Sequence, residues 1–86
     1  MKAAPKNYYC YLFRCKDGTL YAGITDNLAK RETMHNNGTG SKYVHSRGGG
    51  FIIYSEELKT RPEALAREAA IKRLTKAEKE KLISII

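Results

Sequence analysis

The segment from Tyr8 to Thr25 constrains the fold more than any other part of this chain. Tyr8–Cys15 (YYCYLFRC) is an aromatic and apolar run of strand type, and Leu20–Thr25 (LYAGIT) is a second. Lys16-Asp17-Gly18 between them is turn chemistry, so the two runs form a hairpin. Its register decides which side chains meet, because a slip of one residue moves every side chain to the other face. A two-residue Asp-Gly turn would pair Tyr11 with Ile24 and send Tyr11 and Tyr21 to opposite faces. A three-residue turn, with Gly18 left-handed in a G1 bulge, pairs Phe13 with Tyr21 and Tyr11 with Gly23. That register gathers Tyr11, Phe13, Tyr21, Gly23 and Thr25 on one face. Cys10, Leu12, Leu20, Ala22 and Ile24 then share the other, a consistent apolar set, and this is the register expected.

Beyond the hairpin, Thr25 and Asp26 offer N-cap oxygens for a first helix expected over Asn27–Asn36. Asn37–Gly50 is glycine-rich and polar and reads as a mobile loop. Phe51–Glu57 (FIIYSEE) is a third strand. Thr60-Arg61-Pro62-Glu63 and Thr75-Lys76-Ala77-Glu78 both fit the capping box, with Pro62 in a first turn where its missing N–H costs little. Two closing helices are therefore expected, over Arg61–Leu74 and Lys76–Ile86. The fold class is α+β: a small three-stranded antiparallel sheet flanked by helices, in the order β-β-α-β-α-α. Eighty-six residues suit a single domain, 1–86, with a flexible lead-in at 1–7. The apolar end, Leu82 to Ile86, either docks on the domain or meets a partner.

The net charge of +7 points to a polyanionic partner, nucleic acid first. It is no tail effect: residues 1–56 carry 8 basic and 4 acidic side chains, and residues 57–86 carry 8 and 5. No stretch approaches the roughly 18 apolar residues of a membrane span. The segment Met1–Asn7 has no apolar core of a secretory signal, so a cytoplasmic protein is expected. Cys10 and Cys15 on one strand would lie roughly 16 Å apart, beyond disulfide reach. Two cysteines also fall short of the roughly four ligands of a zinc site, so they read as core residues.

On the first helix, Leu28, Arg31 and His35 fall within about 60° of one another at about 100° per residue. A stripe containing Leu28 faces the sheet, which draws Arg31 and His35 toward the interior. On the next helix Glu68 lies among Ala64, Leu65 and Ile71, an unusual place for a solvated carboxylate. Glu68 and Lys72 fit an i,i+4 pair worth about 0.2–0.5 kcal/mol. Glu68 also fits a Mg²⁺ ligand, since that ion takes one or two carboxylates plus waters and substrate phosphate.

Taken together, these residues resemble the GIY-YIG endonuclease superfamily. Tyr9-Cys10-Tyr11 followed ten residues on by Tyr21-Ala22-Gly23 looks like its paired naming motif. The resemblance continues through Ile24-Thr25, Asn27-Leu28, Arg31, His35-Asn36, Lys42-Tyr43, Tyr54, Glu56 and Arg67-Glu68-Ala69-Ala70-Ile71-Lys72. It is strongest toward the small stand-alone bacterial members. Departures exist: neither tyrosine motif matches the name literally, Ile24 replaces a lysine of the DNA-repair members, and Gly48-Gly49-Gly50 replaces a stiffer segment.

The resemblance implies a metal-dependent endonuclease acting on DNA phosphodiester bonds, in repair or recombination. Tyr11, Tyr21, Arg31, His35 and Glu68 would be its catalytic set, with Glu68 holding one Mg²⁺ or Mn²⁺. Tyr21, or Tyr11 beside it, would orient the attacking water. A tyrosine's ordinary pKa of about 10 makes it a poor base unless Arg31 and the metal lower it. His35 would then accept the proton onward, and the choice of Tyr21 or His35 as final base stays open. Lys42, Tyr43, Arg47 and Lys72 are candidates for gripping the nucleic acid. The DNA would include branched and single-stranded forms, and a protein partner would supply specificity. The alternative is a non-catalytic nucleic-acid-binding module using the same basic face.

Overall fold

A computed structural model describes residues 7–84. The expected flexibility of the lead-in and the fate of Ile85 and Ile86 therefore lie outside the described residues, Asn7 excepted. Strands β1 (Tyr8–Cys15) and β2 (Leu20–Thr25) are followed by α1 (Leu28–Asn37), α2 (Lys42–Ser46), β3 (Gly50–Leu58), α3 (Arg61–Lys72) and α4 (Lys76–Ser84). The sheet is antiparallel with order β2-β1-β3, so β1 lies in the centre. The expected fold class holds.

The hairpin takes the three-residue turn. Tyr11 pairs with Gly23 and Phe13 with Tyr21. Gly18 has φ 89°, its N–H donates to Cys15 O at 2.9 Å, and Cys15 N–H donates to Thr19 O at 2.9 Å. A side chain at Gly18 would be strained in that left-handed conformation.

The two faces of the hairpin then build two separate cores. Cys10, Leu12 and Ala22 pack with Ile71 of α3, joined by Ile24, Tyr54, Leu58 and by Leu82 and Ile83 of α4. The apolar end thus docks on its own domain, as far as Ile83. Tyr11, Phe13 and Cys15 pack with Val44 of α2, joined by Tyr21, Leu28 and Ile52. A bulge opposite Leu12 and Phe13 leaves Ile53 unpaired. That extra residue sends Ile52 to one core and Tyr54 to the other, which an unbroken alternation would not allow. Both cysteines are buried and free, as core residues.

Two expectations are corrected. Residues 37–50 are not all loop: Ser41 caps α2, its hydroxyl accepting from Val44 N–H at 3.5 Å. Five helical residues are too few for a periodic signal, and buried Val44 supplies the packing that holds them. The cap of α1 is neither Thr25 nor Asp26 but Asn27, whose Oδ1 accepts from Lys30 N–H at 3.0 Å. Thr25 Oγ1 instead accepts from Asn27 N–H at 3.1 Å, one step outside the helix. Both capping boxes form, Thr60 with Glu63 and Thr75 with Glu78. No helix among the described residues is long and apolar enough to cross a membrane.

Candidate active site

At edge strand β2 a cavity of about 270 Å³ is lined by Tyr11, Tyr21, Gly23, Ile24, Arg31, His35, Gly40, Ser41 and Glu68. It holds all five of the expected catalytic side chains. A larger depression of about 450 Å³ between α1 and β3 carries Glu32 as its only ionisable acid or base besides the phenol of Tyr54. Glu32 is already engaged there by Ile52 N–H at 2.8 Å, so chemistry is concentrated in the smaller cavity.

The five side chains arrive from four elements. Tyr11 and Tyr21 lie diagonally across β1 and β2 on the same face, because Tyr21 is two residues from Tyr11's partner Gly23. Gly23 is indispensable to that arrangement: a Cβ there would stand 2.5 Å from Tyr11 Oη. Arg31 and His35 follow Leu28 on the sheet-facing stripe of α1, as the helical period requires. Glu68 comes from α3, between buried Ala64 and Ile71, and Ile71 packs in the core on the other face. It therefore does not share the tyrosines' face. It joins them because the cavity opens at the sheet edge, where Gly23 has no side chain.

His35 is the most enclosed of the five, with 1% of its surface exposed. Its ring lies edge-on to Phe13 at 4.9 Å and to Tyr21 at 5.5 Å. Nε2 sits 2.8 Å from Tyr11 Oη, and Nδ1 accepts from Ser41 N–H at 3.2 Å. Burial, then the charge of Arg31, lowers its pKa and so favours the neutral ring. Burial also pushes the Tyr11 hydroxyl well above the usual phenol range, and Arg31 offsets only part of this. Arg31 lowers Tyr11 as expected, and burial outweighs it. Arg31 Nε is buried and has no hydrogen-bond partner among the described residues.

Around this centre, Tyr43 on α2 stacks on Tyr21, and Arg47 lies over Tyr43. Asp17 in the hairpin turn holds Arg47 at 3.0 Å. Thr19 and then Arg47 depress the Asp17 carboxyl to about 2. Lys42 is exposed on α2. Lys72 lies 3.5 Å from Glu68 Oε2, so the i,i+4 pair and the site placement of Glu68 coexist. Sequence reasoning missed Gly40, Ser41 and Asp17. Ser41, a cap-type residue three before an apolar Val44, was the one signal available for α2.

A model of the GIY-YIG catalytic domain matches residues 7–81. The chain belongs to the GIY-YIG family. Among similar chains, the UPF0213 protein CPE1444 of Clostridium perfringens is 47% identical over 76 residues, covering 88% of this chain and 82% of that one. The UPF0213 protein SSP2268 of Staphylococcus saprophyticus is 44% identical, covering 90% and 94%. The solution NMR structure of EF2693 from E. faecalis superposes with a TM-score of 0.61 at 39% identity, covering 99% of this chain and 91% of that one. Both its identity and its coverage extend the likeness from the motif residues to the whole GIY-YIG fold described above.

Proposed function

We propose that this GIY-YIG protein is a divalent-metal-dependent endonuclease that hydrolyses DNA phosphodiester bonds. The observation that carries the reading is the convergence of Tyr11, Tyr21, Arg31, His35 and Glu68 on one cavity. Glu68 is the one carboxylate among the cavity's lining residues, and the described residues contain no cluster of three or more His, Cys, Asp or Glu placed to hold an ion. That donor set suits Mg²⁺ or Mn²⁺ completed by water and substrate phosphate, and does not suit zinc. Held by Glu68, such an ion supplies Lewis-acid polarisation of the phosphate.

The chain's own groups do the rest. Arg31, whose buried Nε has no partner among the described residues, donates to a phosphate oxygen and stabilises charge that develops there. Tyr21 orients the attacking water and, as the phenolate after loss of its own proton to solvent, takes the water's proton, while Tyr11 donates a hydrogen bond as a neutral hydroxyl. Lys42, Tyr43 and Arg47 at the rim grip the nucleic acid, and the +7 charge draws it in. Lys72 screens Glu68 until phosphate and metal arrive. The same reading includes a role in repair or recombination, with a protein partner supplying specificity.

The test is cleavage of branched, single-stranded and duplex DNA with Mg²⁺ or EDTA. Wild type cleaves at least one form with Mg²⁺ only, and Tyr21→Phe binds normally but loses on the order of 10²–10⁴ in rate. Tight binding with no cleavage of any form would replace the enzyme with a binding module.

A further inference from the structure

We infer that His35 is a positioning residue and not the proton acceptor: it is held as the neutral imidazole protonated at Nε2, and it donates to Tyr11 Oη, leaving the hydrogen of Tyr11 to point into the cavity. The functional half of this inference rests on the endonuclease reading. The direction of the hydrogen bonds does not.

The direction follows from one backbone group. Ser41 N–H lies 3.2 Å from His35 Nδ1, and a backbone N–H can only donate. Nδ1 must therefore present its lone pair. A neutral imidazole carries one N–H, so the hydrogen is on Nε2. The second contact, Nε2 to Tyr11 Oη at 2.8 Å, is then donated by the histidine. An imidazolium would set two hydrogens against each other at Ser41.

The geometry that places the amide is local and specific. After α1, Thr39 and Gly40 N–H groups both donate to Met34 O, at 3.0 and 2.9 Å, folding the chain back over the helix end. Ser41 is then fixed as the cap of α2. Gly40 allows the approach, because a Cβ there would stand 2.6 Å from His35 Nδ1. With His35 occupying one side of Oη, the open direction for the Tyr11 hydrogen is over Gly23, which also lines the cavity. Tyr11 is thereby a directed donor, for a phosphate oxygen or the attacking water. Nε2 already carries its proton and the lone pair of Nδ1 is taken by Ser41 N–H, so His35 has no nitrogen left to accept from water. The acceptor is then Tyr21, acting as the phenolate after its own proton has left to solvent.

The first measurement is a long-range ¹⁵N–¹H correlation spectrum of the histidines in the full chain at neutral pH, without metal or DNA. His35 is expected to show a protonated, pyrrole-like Nε2 and an unprotonated, pyridine-like Nδ1. The reverse pattern, or two protonated nitrogens, overturns the inference. The second compares cleavage by His35→Gln and His35→Ala. A glutamine amide can donate from nearly the same place but cannot act as a base. Expected is His35→Gln within about threefold of wild type, with His35→Ala lower by about 10–100-fold. Equal losses on the order of 10²–10⁴ in two folded variants would make His35 the base and overturn the positioning role. A wild type that cleaves nothing removes the endonuclease reading and the functional half with it, while the spectrum still decides the hydrogen-bond direction.

Discussion

The ring of Tyr43 rests on that of Tyr21 with centroids 5.8 Å apart and planes 25° from parallel. Arg47 covers Tyr43 at 4.8 Å from its centroid, so three side chains form one stack leading from the rim to the cavity. Tyr43→Ala is expected to cost about 0.5–1.5 kcal/mol of stability and to slow cleavage by loosening Tyr21. Tyr43→Phe keeps the stack and should resemble wild type. Urea unfolding and single-turnover cleavage measure both; an alanine variant with wild-type rates would detach α2 from catalysis.

Asp17 neutralises Arg47 at 3.0 Å on an exposed surface. Asp17→Asn frees that cation for phosphate. DNA binding should tighten at low salt, with the slope of log K against log salt steeper by about 0.7–0.9. Fluorescence anisotropy across a salt series reads the slope, and an unchanged slope would mean that Arg47 does not reach the DNA.

Gly23→Ala should damage activity and stability together. The added Cβ would meet Tyr11 Oη at 2.5 Å, and buried Tyr11 has little room to move. A loss of about 1–3 kcal/mol is expected from overpacking. The ring carbon Cζ would also stand at 2.7 Å, so Gly23→Ala/Tyr11→Phe should stay destabilised and inactive, and full recovery of stability in that double variant would contradict the close packing of the Tyr11 ring on Gly23.

Glu56 on β3 and Arg67 on α3 form a two-point ion pair at 2.6 and 2.9 Å. The Arg67 hydrogen bonds hold the Glu56 carboxyl below its ordinary range. A folded-state value below the unfolded one stabilises the fold above the unfolded pKa and is lost as pH falls through the folded value. The stability gap between wild type and Arg67→Met should thus be full above about pH 4.3 and close below it. Denaturant unfolding at stepped pH checks this; a gap constant with pH would deny the linkage.

Much of this was legible because the hairpin has few alternatives. Once Gly18 is given its left-handed turn, the alternation of strands β1 and β2 assigns both cores, and the stripe from Leu28 carries Arg31 and His35 inward. Glu68 was legible as a misplaced carboxylate, but its face was not, since the path around the β2 edge depends on strand order and no local pattern encodes that. Helix α2 escaped for a different reason. Its five residues are held by Val44 in the core and by the Ser41 cap, contacts that exist only after the sheet has formed. The Ser41 amide, which sets the state of His35, escaped with it.

The most direct test is single-turnover cleavage by Glu68→Gln over a Mg²⁺ series, beside its DNA affinity and unfolding curve. Glutamine keeps the size and removes the charge. A folded variant that binds DNA as wild type does and loses cleavage on the order of 10²–10³-fold is expected. Cleavage at the wild-type rate and with the wild-type Mg²⁺ dependence would contradict the assignment of Glu68 as the metal's anchor.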